Sequence, residues 1–371
     1  MARLKSMLLD ESKYKITVPV IAILLSFLIA TLVMILTGIN PVGAFKALVR
    51  TMTGINMDQL FTDKMFNARY LGEFLTTALP ITMTGIAVAF AFRTGLFNIG
   101  AEGQLMVGAM AASIVSILLE LPMIIHLPLV VLSAAAAGAA WGFVPGFLKA
   151  KFNVHEVVVT IMMNYTALHL SNYVLKSLPG SDQVKTVKSL PSGTFQSDFL
   201  KALTNNSRFH WGFIVVILSL ILFWFIIEKT SFGFELRSVG FNPHASRYAG
   251  MKVTRNMVLS MMISGAFAGI GGAMLSIGTF NYGRVLVGFE NYGFDGIAVA
   301  LLGGNTAVGV FLSGLLFGGL KSAQPLMQAN KIPMEIAKII SSLIVLFVAM
   351  KYGFEMLLRY YAKKQLKEEE Q

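Results

Sequence analysis

The fold class of the chain follows from residues 18–37, which read VPVIAILLSFLIATLVMILT. A helix rises about 1.5 Å per residue, so roughly 20 such residues cross the roughly 30 Å hydrocarbon core of a bilayer. No charged side chain occurs from Ile16 to Phe45. The stretch is longer than the apolar core of a signal peptide, and no small-residue cleavage pattern follows it before Pro41. It predicts a membrane-spanning helix.

Composition extends this prediction to the whole chain. Of 371 residues, 55% are hydrophobic and only 13% are charged, which leaves too little polar surface for a soluble enzyme of this size. The absence of cysteine excludes thiol enzymes, disulfide scaffolds and cysteine-ligated zinc sites. The formal net charge of +11 is spread between apolar runs, which argues against a nucleic-acid partner and favours a role in membrane orientation.

Nine further apolar segments follow the first. They predict helices, because open strands would leave backbone groups unpaired in lipid and barrel strands would alternate in polarity. We therefore predict an all-α polytopic membrane protein with about ten transmembrane helices, some of them broken. The ten segments are 18–37, 74–92, 104–120, 127–148, 156–176, 211–228, 256–279, 295–304, 306–322 and 334–351.

The charge distribution suggests an orientation. A cytoplasmic N-terminus puts more Lys and Arg on the interior side than on the exterior side, as the positive-inside rule requires. The predicted organisation is a cytoplasmic tail over 1–17, a membrane domain over 18–351 and a charged cytoplasmic tail over 352–371. Within the membrane domain, we expect 177–210 to be extracellular and 229–255 to be cytoplasmic.

Two regions interrupt the apolar pattern with glycine and polar residues. One is 92–104. The other is 295–322, where Gly303, Gly304 and Asn305 separate two short pieces that form either two tilted spans or a broken, re-entrant pair. Matching interruptions in two halves of a membrane protein indicate a pathway built from broken helices.

Polar side chains in these regions, and one on the mostly apolar segment 156–176, are candidates for contact with a solute. A charge at the bilayer centre costs on the order of 2.5 to 3.5 kcal/mol, so such residues face a bundle interior or a water-filled cavity. A purely structural role stays open, in which Glu102 and Asn98 bind loop backbone or pair with Arg93. The candidates are Asn98, Glu102, Gln104, Asn164, Asp295 and Asn305.

The basic loop 229–255 contains signals for a short helix of about two turns. Asn242 can cap its start, Pro243 fits the first turn, and Gly250 can close the end in a left-handed conformation. The loop's basic residues would either contact lipid phosphates or flank a rigid knob for a cytoplasmic partner. They are Arg237, Arg247, Lys252 and Arg255.

Two apparent enzyme motifs in the sequence each lack a required residue. Gly314 and Gly319 have the spacing of a P-loop, but Leu320 stands where the lysine must follow. His155 and Glu156 lack the second histidine of a zinc protease motif. We predict no catalytic residue and no metal site.

Four blocks of this sequence resemble bacterial ABC-importer permeases, and among them the nucleoside branch of the ribose and branched-chain amino acid permease superfamily. The resemblance covers roughly residues 15–355 and is closest to the larger of two permease subunits. The blocks are GLFNIGAEGQ at 95–104, VHEVVVTIMMNY at 154–165, ELRSVGFNP at 235–243 with YAG at 248–250, and GFDGIAVALLG at 293–303.

The resemblance implies a multi-pass subunit of the bacterial plasma membrane that forms the translocation pathway for nucleosides. Its partners would be a second, homologous permease, cytoplasmic ABC ATPase subunits and an extracytoplasmic substrate-binding lipoprotein. ATP and Mg²⁺ would be bound by the ATPase, and this chain would hold no cofactor directly. The alternatives are a permease for ribose or another simple sugar, and an ion-coupled secondary transporter.

The resemblance also assigns roles to residues. The helix at 242–250 would be the coupling helix that docks on the ATPase, with coupling residues Glu235, Arg237, Gly240, Asn242, Pro243, Tyr248, Ala249 and Gly250. A nucleoside needs partners for its ribose hydroxyls and an aromatic slot for its base. The expected pathway residues are Phe97, Asn98, Glu102, Gln104, Asn164, Phe294, Asp295 and Asn305, with the two phenylalanines stacking on the base.

Overall fold

The structure is a computed structural model that describes residues 11–62 and 64–350. The predicted tail 352–371 and the first ten residues of the predicted tail 1–17 lie outside the described residues. The described residues form two compact units, one from 11–47 with 323–350 and the other from within 48–322.

Helices dominate both units. A two-stranded antiparallel sheet pairs β1 (Lys185–Lys188) with β2 (Tyr282–Arg284), and Lys188 lies opposite Tyr282. The helices are α1 (Glu11–Leu36), α2 (Pro41–Thr53), α3 (Ala68–Arg93), α4 (Ala101–Leu118), α5 (Met123–Phe152), α6 (Glu156–Ser177), α7 (Asp198–Leu203), α8 (Gly212–Lys229), α9 (Ser231–Phe241), α10 (Pro243–Tyr248), α11 (Val253–Ala273), α12 (Tyr292–Leu302), α13 (Ala307–Ala329) and α14 (Glu335–Ala349). Two short 3₁₀ turns lie at Met57–Gln59 and Pro191–Gly193, and α11 continues as a π-helical turn over Met274–Phe280.

The all-α membrane fold is confirmed. Each of the ten predicted apolar segments overlaps a helix. Within the described part of the chain, seven helices are long and apolar enough to cross a membrane. They are α1, α3, α4, α5, α8, α13 and α11 with its π-helical turn.

The connections contain more structure than the sequence predicted. Helix α2 occupies part of the segment before α3, and 177–210 contains β1 and α7. The basic loop holds α9 in addition to the expected short helix α10. Strand β1 pairs with residues that follow the π-helical turn, so a long connection is fixed against the end of a membrane helix.

Helix α3 is the centre of the larger unit. It is buried on all sides over most of its length and packs against α8, α11 and α12. A helix that is apolar all round belongs in a protein interior, and this one carries only small polar groups there. One of them, the Thr84 hydroxyl, donates a hydrogen bond of 2.8 Å to the carbonyl of Tyr292 at the start of α12.

Small residues bring α5 and α11 into close contact. A Cβ atom on Gly138 would collide with the carbonyl oxygen of Gly265, and one on Gly265 would collide with the carbonyl oxygen of Gly138. Without a hydrophobic effect between helices in lipid, such backbone approach supplies the van der Waals contact that holds them together. The four-residue spacing of Ala134, Gly138 and Gly142 thus forms a packing seam.

In the smaller unit, α1 packs against α14. Its buried stripe repeats every four residues as Ala22, Ser26, Ala30 and Met34. The opposite face exposes Leu24, Leu28 and Leu32, as expected for a helix that faces lipid.

Candidate functional site

The second interrupted region forms a half-length helix preceded by an irregular segment. Residues 285–291 are not helical, and α12 has only 11 residues, or roughly 16 Å. A tight turn follows, with Gly304 and Asn305 at φ of 59° and 54°, and α13 then continues the chain. The break therefore precedes Tyr292, and the glycines at 303 and 304 connect α12 to α13.

The buried carboxylate of Glu102 holds the start of α12. Glu102 lies in the first turn of α4 and is 1% exposed. Its oxygens accept hydrogen bonds from the backbone N–H groups of Glu290 (3.0 Å), Asn291 (2.9 Å) and Gly293 (2.5 Å). Because Asn291 makes no side-chain cap of its own, Glu102 supplies the cap from another helix. A Cβ atom on Gly293 would collide with the backbone of Glu102, so the two helix starts lie in direct contact.

Asn164 fixes the loop that leads into α4. Its amide donates to the carbonyl of Ile99 (3.1 Å) and accepts from the N–H of Gly103 (2.8 Å). The side chain is 1% exposed. Its position on α6 therefore joins α6 to the first interrupted region.

Asn98 and Gln104 form a buried polar network in that same region. The Asn98 amide donates to the Gln104 side-chain oxygen (2.8 Å) and to the Ser264 hydroxyl (2.7 Å). Ser264 in turn donates to the carbonyl of Ala87 (2.6 Å). The network ties α3, α4 and α11 together inside the protein, with Asn98 and Gln104 at most 1% exposed. Their contact with a solute stays a prediction.

Phe294 and Asp295 lie in a different, partly exposed environment. Phe294 packs against Phe289 with ring centroids 6.0 Å apart, and Phe289 packs edge-on against Tyr165 of α6 at 4.9 Å. Asp295 forms an ion pair of 2.8 Å with Lys321 of α13. Aromatic rings and polar groups thus converge at the start of α12.

The irregular segment before α12 is fixed at both ends by charge and hydrogen bonds. Arg284 and Glu290 form a two-pronged ion pair across it. Asn172 of α6 exchanges two hydrogen bonds with the backbone of Leu286, at 2.7 and 2.8 Å. Lys321 also donates to the Glu290 carbonyl (2.8 Å). These contacts fix the position of the backbone that carries Phe289.

Helix α6 exposes several polar side chains. Tyr165 and Tyr173 are 56% and 76% exposed, and Thr166 and His169 lie exposed between them. The helix also exposes Val158, Ile161 and Met162, so its outer surface mixes polar and apolar side chains. The same face carries the aromatic contact with Phe289.

Two predicted pathway residues lie apart from this cluster. Phe97 stacks on Phe92 with centroids 5.2 Å apart, near the end of α3. Asn305 lies in the turn between α12 and α13, where its N–H donates to the Ala300 carbonyl (3.0 Å). Phe97 and Phe294 thus pack against different rings, and their stacking on a base stays a prediction.

The basic loop contains the short helix that the sequence predicts. The Asn242 side-chain oxygen accepts from the N–H groups of His244 and Ala245, both at 3.0 Å, and Pro243 occupies the first turn of α10. Ala249 is the C-terminal cap residue, and Gly250 follows with φ of 83°. Tyr248 is 96% exposed at the end of the helix.

Helix α9 anchors this loop to the membrane helices. Glu228 at the end of α8 forms ion pairs with Arg93 and with Arg237. Glu235 accepts a hydrogen bond of 2.8 Å from the Asn256 amide at the start of α11. Gly240 lies so close to the backbone at Arg93 that a Cβ atom would contact its carbonyl oxygen at 2.6 Å. These contacts join α9 to α3, α8 and α11, and α10 follows α9 directly in the chain.

Residues 70–349 match the protein family described as "Branched-chain amino acid transport system / permease component". The chain belongs to this permease family. The permease is 48% identical over 348 residues to the guanosine ABC transporter permease protein NupP of Bacillus subtilis, covering 94% of this chain and 97% of that protein. It is 35% identical to the nucleoside ABC transporter permease protein NupB of Lactococcus lactis, covering 94% and 95%. The glucose ABC transporter permease protein TsgB13 of Haloferax volcanii is 31% identical, covering 91% and 88%. The family resemblance found in the sequence is confirmed.

Several residues of the permease's partly exposed cluster escaped the sequence analysis. They are Tyr165, Arg284, Phe289, Glu290 and Lys321. Lys321 had a readable signal, because a charge near the end of the apolar segment 306–322 requires a partner. The others lie on α6, at the end of β2 or in the irregular segment, where no periodicity indicates which side chains converge. Within the described residues, no group of three or more His, Asp or Glu is arranged to hold a metal ion.

Proposed function

We propose that this permease is the membrane subunit of an ATP-driven importer and that it forms part of the translocation pathway for nucleosides. The observation that carries the proposal is its high identity, over nearly the whole chain, to permease proteins named for guanosine and for nucleosides. The lower identity to a glucose permease protein makes a simple sugar the second candidate substrate.

The cluster at the start of α12 suits a nucleoside. Tyr165, Phe289 and Phe294 supply aromatic surface for a base, and aromatic stacking on a base is worth about 1 to 3 kcal/mol. Asp295 supplies a hydrogen-bond acceptor for ribose hydroxyls beside these rings. The buried side chains of Glu102 and Asn164 would act indirectly, by holding α12 and α4 in position.

The exposed polar side chains of α6 support the need for a second permease. Tyr165, His169 and Tyr173 would be costly in lipid, but a homologous subunit placed against this face would enclose them. The pathway would then run between the two permeases, with each contributing its α6 and α12.

Helix α10 is the proposed contact for the ATPase subunits. A short capped helix with an exposed tyrosine, which follows a helix α9 that is fixed to three membrane helices, can transmit a movement without bending. ATP and Mg²⁺ would be bound and hydrolysed by the partner subunits, and this chain would act as a transport subunit and not as an enzyme.

The proposed orientation puts both termini and α10 in the cytoplasm of a bacterium. The segment 177–210, which includes β1 and α7, would then face outside and meet a substrate-binding lipoprotein. Cysteine introduced at Lys188 should react with a membrane-impermeant maleimide in intact cells, whereas cysteine at Tyr248 should react only after the cells are opened. The reverse pattern would overturn this orientation.

Uptake of labelled guanosine and uridine by cells with and without the gene tests the function. We expect gene-dependent uptake that unlabelled adenosine inhibits and that ribose, glucose and guanosine monophosphate do not. Uptake should continue with a protonophore while ATP is maintained. Inhibition by ribose or glucose alone would move the substrate to simple sugars, and collapse with the protonophore at constant ATP would indicate an ion-coupled transporter.

Variants of the cluster test the site separately. Loss of one stacking ring in Phe289→Ala should reduce kcat/KM for uptake about tenfold, since stacking is worth about 1 to 3 kcal/mol per base. Phe225→Ala, on the exposed surface of α8, is the matched control and should leave uptake unchanged. Normal uptake by Phe289→Ala and by Asp295→Ala, at equal membrane abundance, would remove this cluster from the pathway.

A further inference from the structure

A large groove lies between α5 and α11, beside α10. Its volume is about 750 Å³. The walls are apolar and include Phe143 and Phe147 of α5 with Val258, Leu259 and Met262 of α11. This groove is separate from the cluster at the start of α12.

One end of the groove is strongly basic. Arg247 of α10 lines it together with Lys252 and Arg255 at the start of α11, and no acidic residue lines it. Lys151 adds a fourth cation, with its Nζ 5.4 Å from the centre of the Phe147 ring. By contrast, the nearby cation Lys149 is neutralised by Glu156 at 3.0 Å. None of the four basic residues at the groove has an ion pair within the described residues.

The depth of the groove favours a lipid over a water-soluble partner as its occupant. Met262 lies nine residues into α11 from Val253, which corresponds to roughly 14 Å along the helix axis. Phe143 lies equally far from the end of α5 at Phe152. Both helices are long and apolar enough to span the membrane, so the groove extends from the interface into the hydrocarbon region.

We propose that this groove binds one anionic phospholipid from the leaflet next to α10. The phosphate would lie against Arg247, Lys252 and Arg255, and an acyl chain would lie along Phe143, Val258 and Met262. An anionic headgroup satisfies cations that lack protein partners, and the chain covers apolar surface at membrane depth. Because Arg247 belongs to α10 and the other two cations begin α11, the bound lipid would fix the proposed coupling helix to a membrane helix. The lipid site itself does not depend on the identity of the transported solute.

The test uses the permease purified together with its co-expressed partner subunits. Native mass spectrometry would measure retention of phosphatidylglycerol and of phosphatidylcholine across a lipid titration. Lys252→Gln with Arg255→Gln should weaken phosphatidylglycerol binding by roughly thirtyfold, because each basic residue near an anionic headgroup contributes roughly fivefold. The matched control is Lys176→Gln with Lys188→Gln, which removes the same charge from exposed positions on α6 and β1 and should leave binding unchanged.

A second variant tests the apolar part of the groove. Val258→Trp would place an indole ring in the groove and should obstruct the acyl chain while the four cations stay in place. Unchanged phosphatidylglycerol binding in both groove variants would overturn the proposal. Equal retention of phosphatidylcholine by the parent would also overturn it, because the lipid would then be ordinary annular lipid. Loss of the ATPase subunits with phosphatidylglycerol still bound would identify the basic rim as a protein contact instead.

Discussion

Replacement of Glu102 tests how α12 is held. The Glu102 carboxylate accepts three backbone hydrogen bonds at the start of this helix in a site that is 1% exposed. Hydrogen bonds to a charged group contribute about 1.5 to 3 kcal/mol each, and a buried donor left without a partner costs about 1 to 3 kcal/mol. The contributions are not additive, so Glu102→Ala should destabilise the permease by about 3 to 5 kcal/mol. Glu102→Gln keeps one acceptor oxygen and should cost about half as much.

Replacement of Glu102 should affect the start of α12 as well as the stability of the whole permease. Since the three donors are the N–H groups of Glu290, Asn291 and Gly293, their hydrogen exchange should accelerate in Glu102→Gln before the rest of α12 changes. Thermal unfolding of the purified complex, followed by size-exclusion fluorescence, would rank the parent, the Gln variant and the Ala variant in falling order. Uptake should fall in the same order, because Phe294 and Asp295 lie on the first turn of α12.

A matched control distinguishes this role from a general effect of charge. Glu120 lies exposed just beyond the other end of α4, so Glu120→Ala removes the same charge without removing a cap. It should leave the Tm within about 1 °C of the parent, as surface substitutions usually do. If Glu102→Ala unfolds at the same temperature as Glu120→Ala and exchange near Gly293 is unchanged, the carboxylate does not hold α12.

Three further predictions concern other parts of the fold. Asn242→Ala should weaken the α10 cap by about 0.5 to 2 kcal/mol and reduce substrate-stimulated ATPase activity at equal membrane abundance, and Asn242→Asp should restore that activity. Unchanged ATPase stimulation in the Ala variant would exclude a transmitting role for the cap. Gly138→Val should prevent close packing of α5 on α11 and sharply lower the yield of folded protein. Gly288→Ala adds a methyl group that meets open space and should not lower the yield, so equal yields of the two variants would contradict the packing seam between α5 and α11. Burial lowers the pKa of His210 from 6.5 to about 3, so between these pH values the unfolded state binds a proton that the folded state does not, and stability should fall as the pH drops from 6.5 towards 3. His210→Asn should flatten this dependence of Tm on pH, and an equally steep slope in the variant would contradict the role of His210.

The membrane helices and the capped α10 were predictable because their signals are local. Residues 18–37 need only their own length and polarity to indicate a span, and Asn242, Pro243 and Gly250 each satisfy a requirement within a few residues. The strand β1 was not predictable in this way. Its partner β2 lies about a hundred residues away, and a short polar stretch carries no signal for such a pairing.

The candidate site shows the same difference between local signals, which the sequence carries, and contacts between distant residues, which it does not. Glu102 was recognisable as a residue that needs a partner, but its partners are backbone N–H groups around Asn291, which composition and motif cannot indicate. Asn98 and Asn164 were recognisable for the same reason and lie fully buried. By contrast, Phe289 stands in an irregular segment whose path is fixed by Asn172 and Arg284, so only the three-dimensional structure brings it against Tyr165.

The charges at the start of α12 pair with one another, and this bears on the kind of solute that would pass. A free helix N-terminus attracts anions, but the Glu102 carboxylate already occupies the one at α12. Lys321 is neutralised by Asp295, and Arg284 is neutralised by Glu290. A phosphate or carboxylate would therefore have to break an existing ion pair to be bound there. An uncharged solute with hydroxyls and a flat ring needs no such exchange, because it can use the outer oxygens of these pairs and the adjacent faces of Phe289 and Phe294. This is the electrostatic reason for favouring a nucleoside over a nucleotide or an amino acid at this place in the permease.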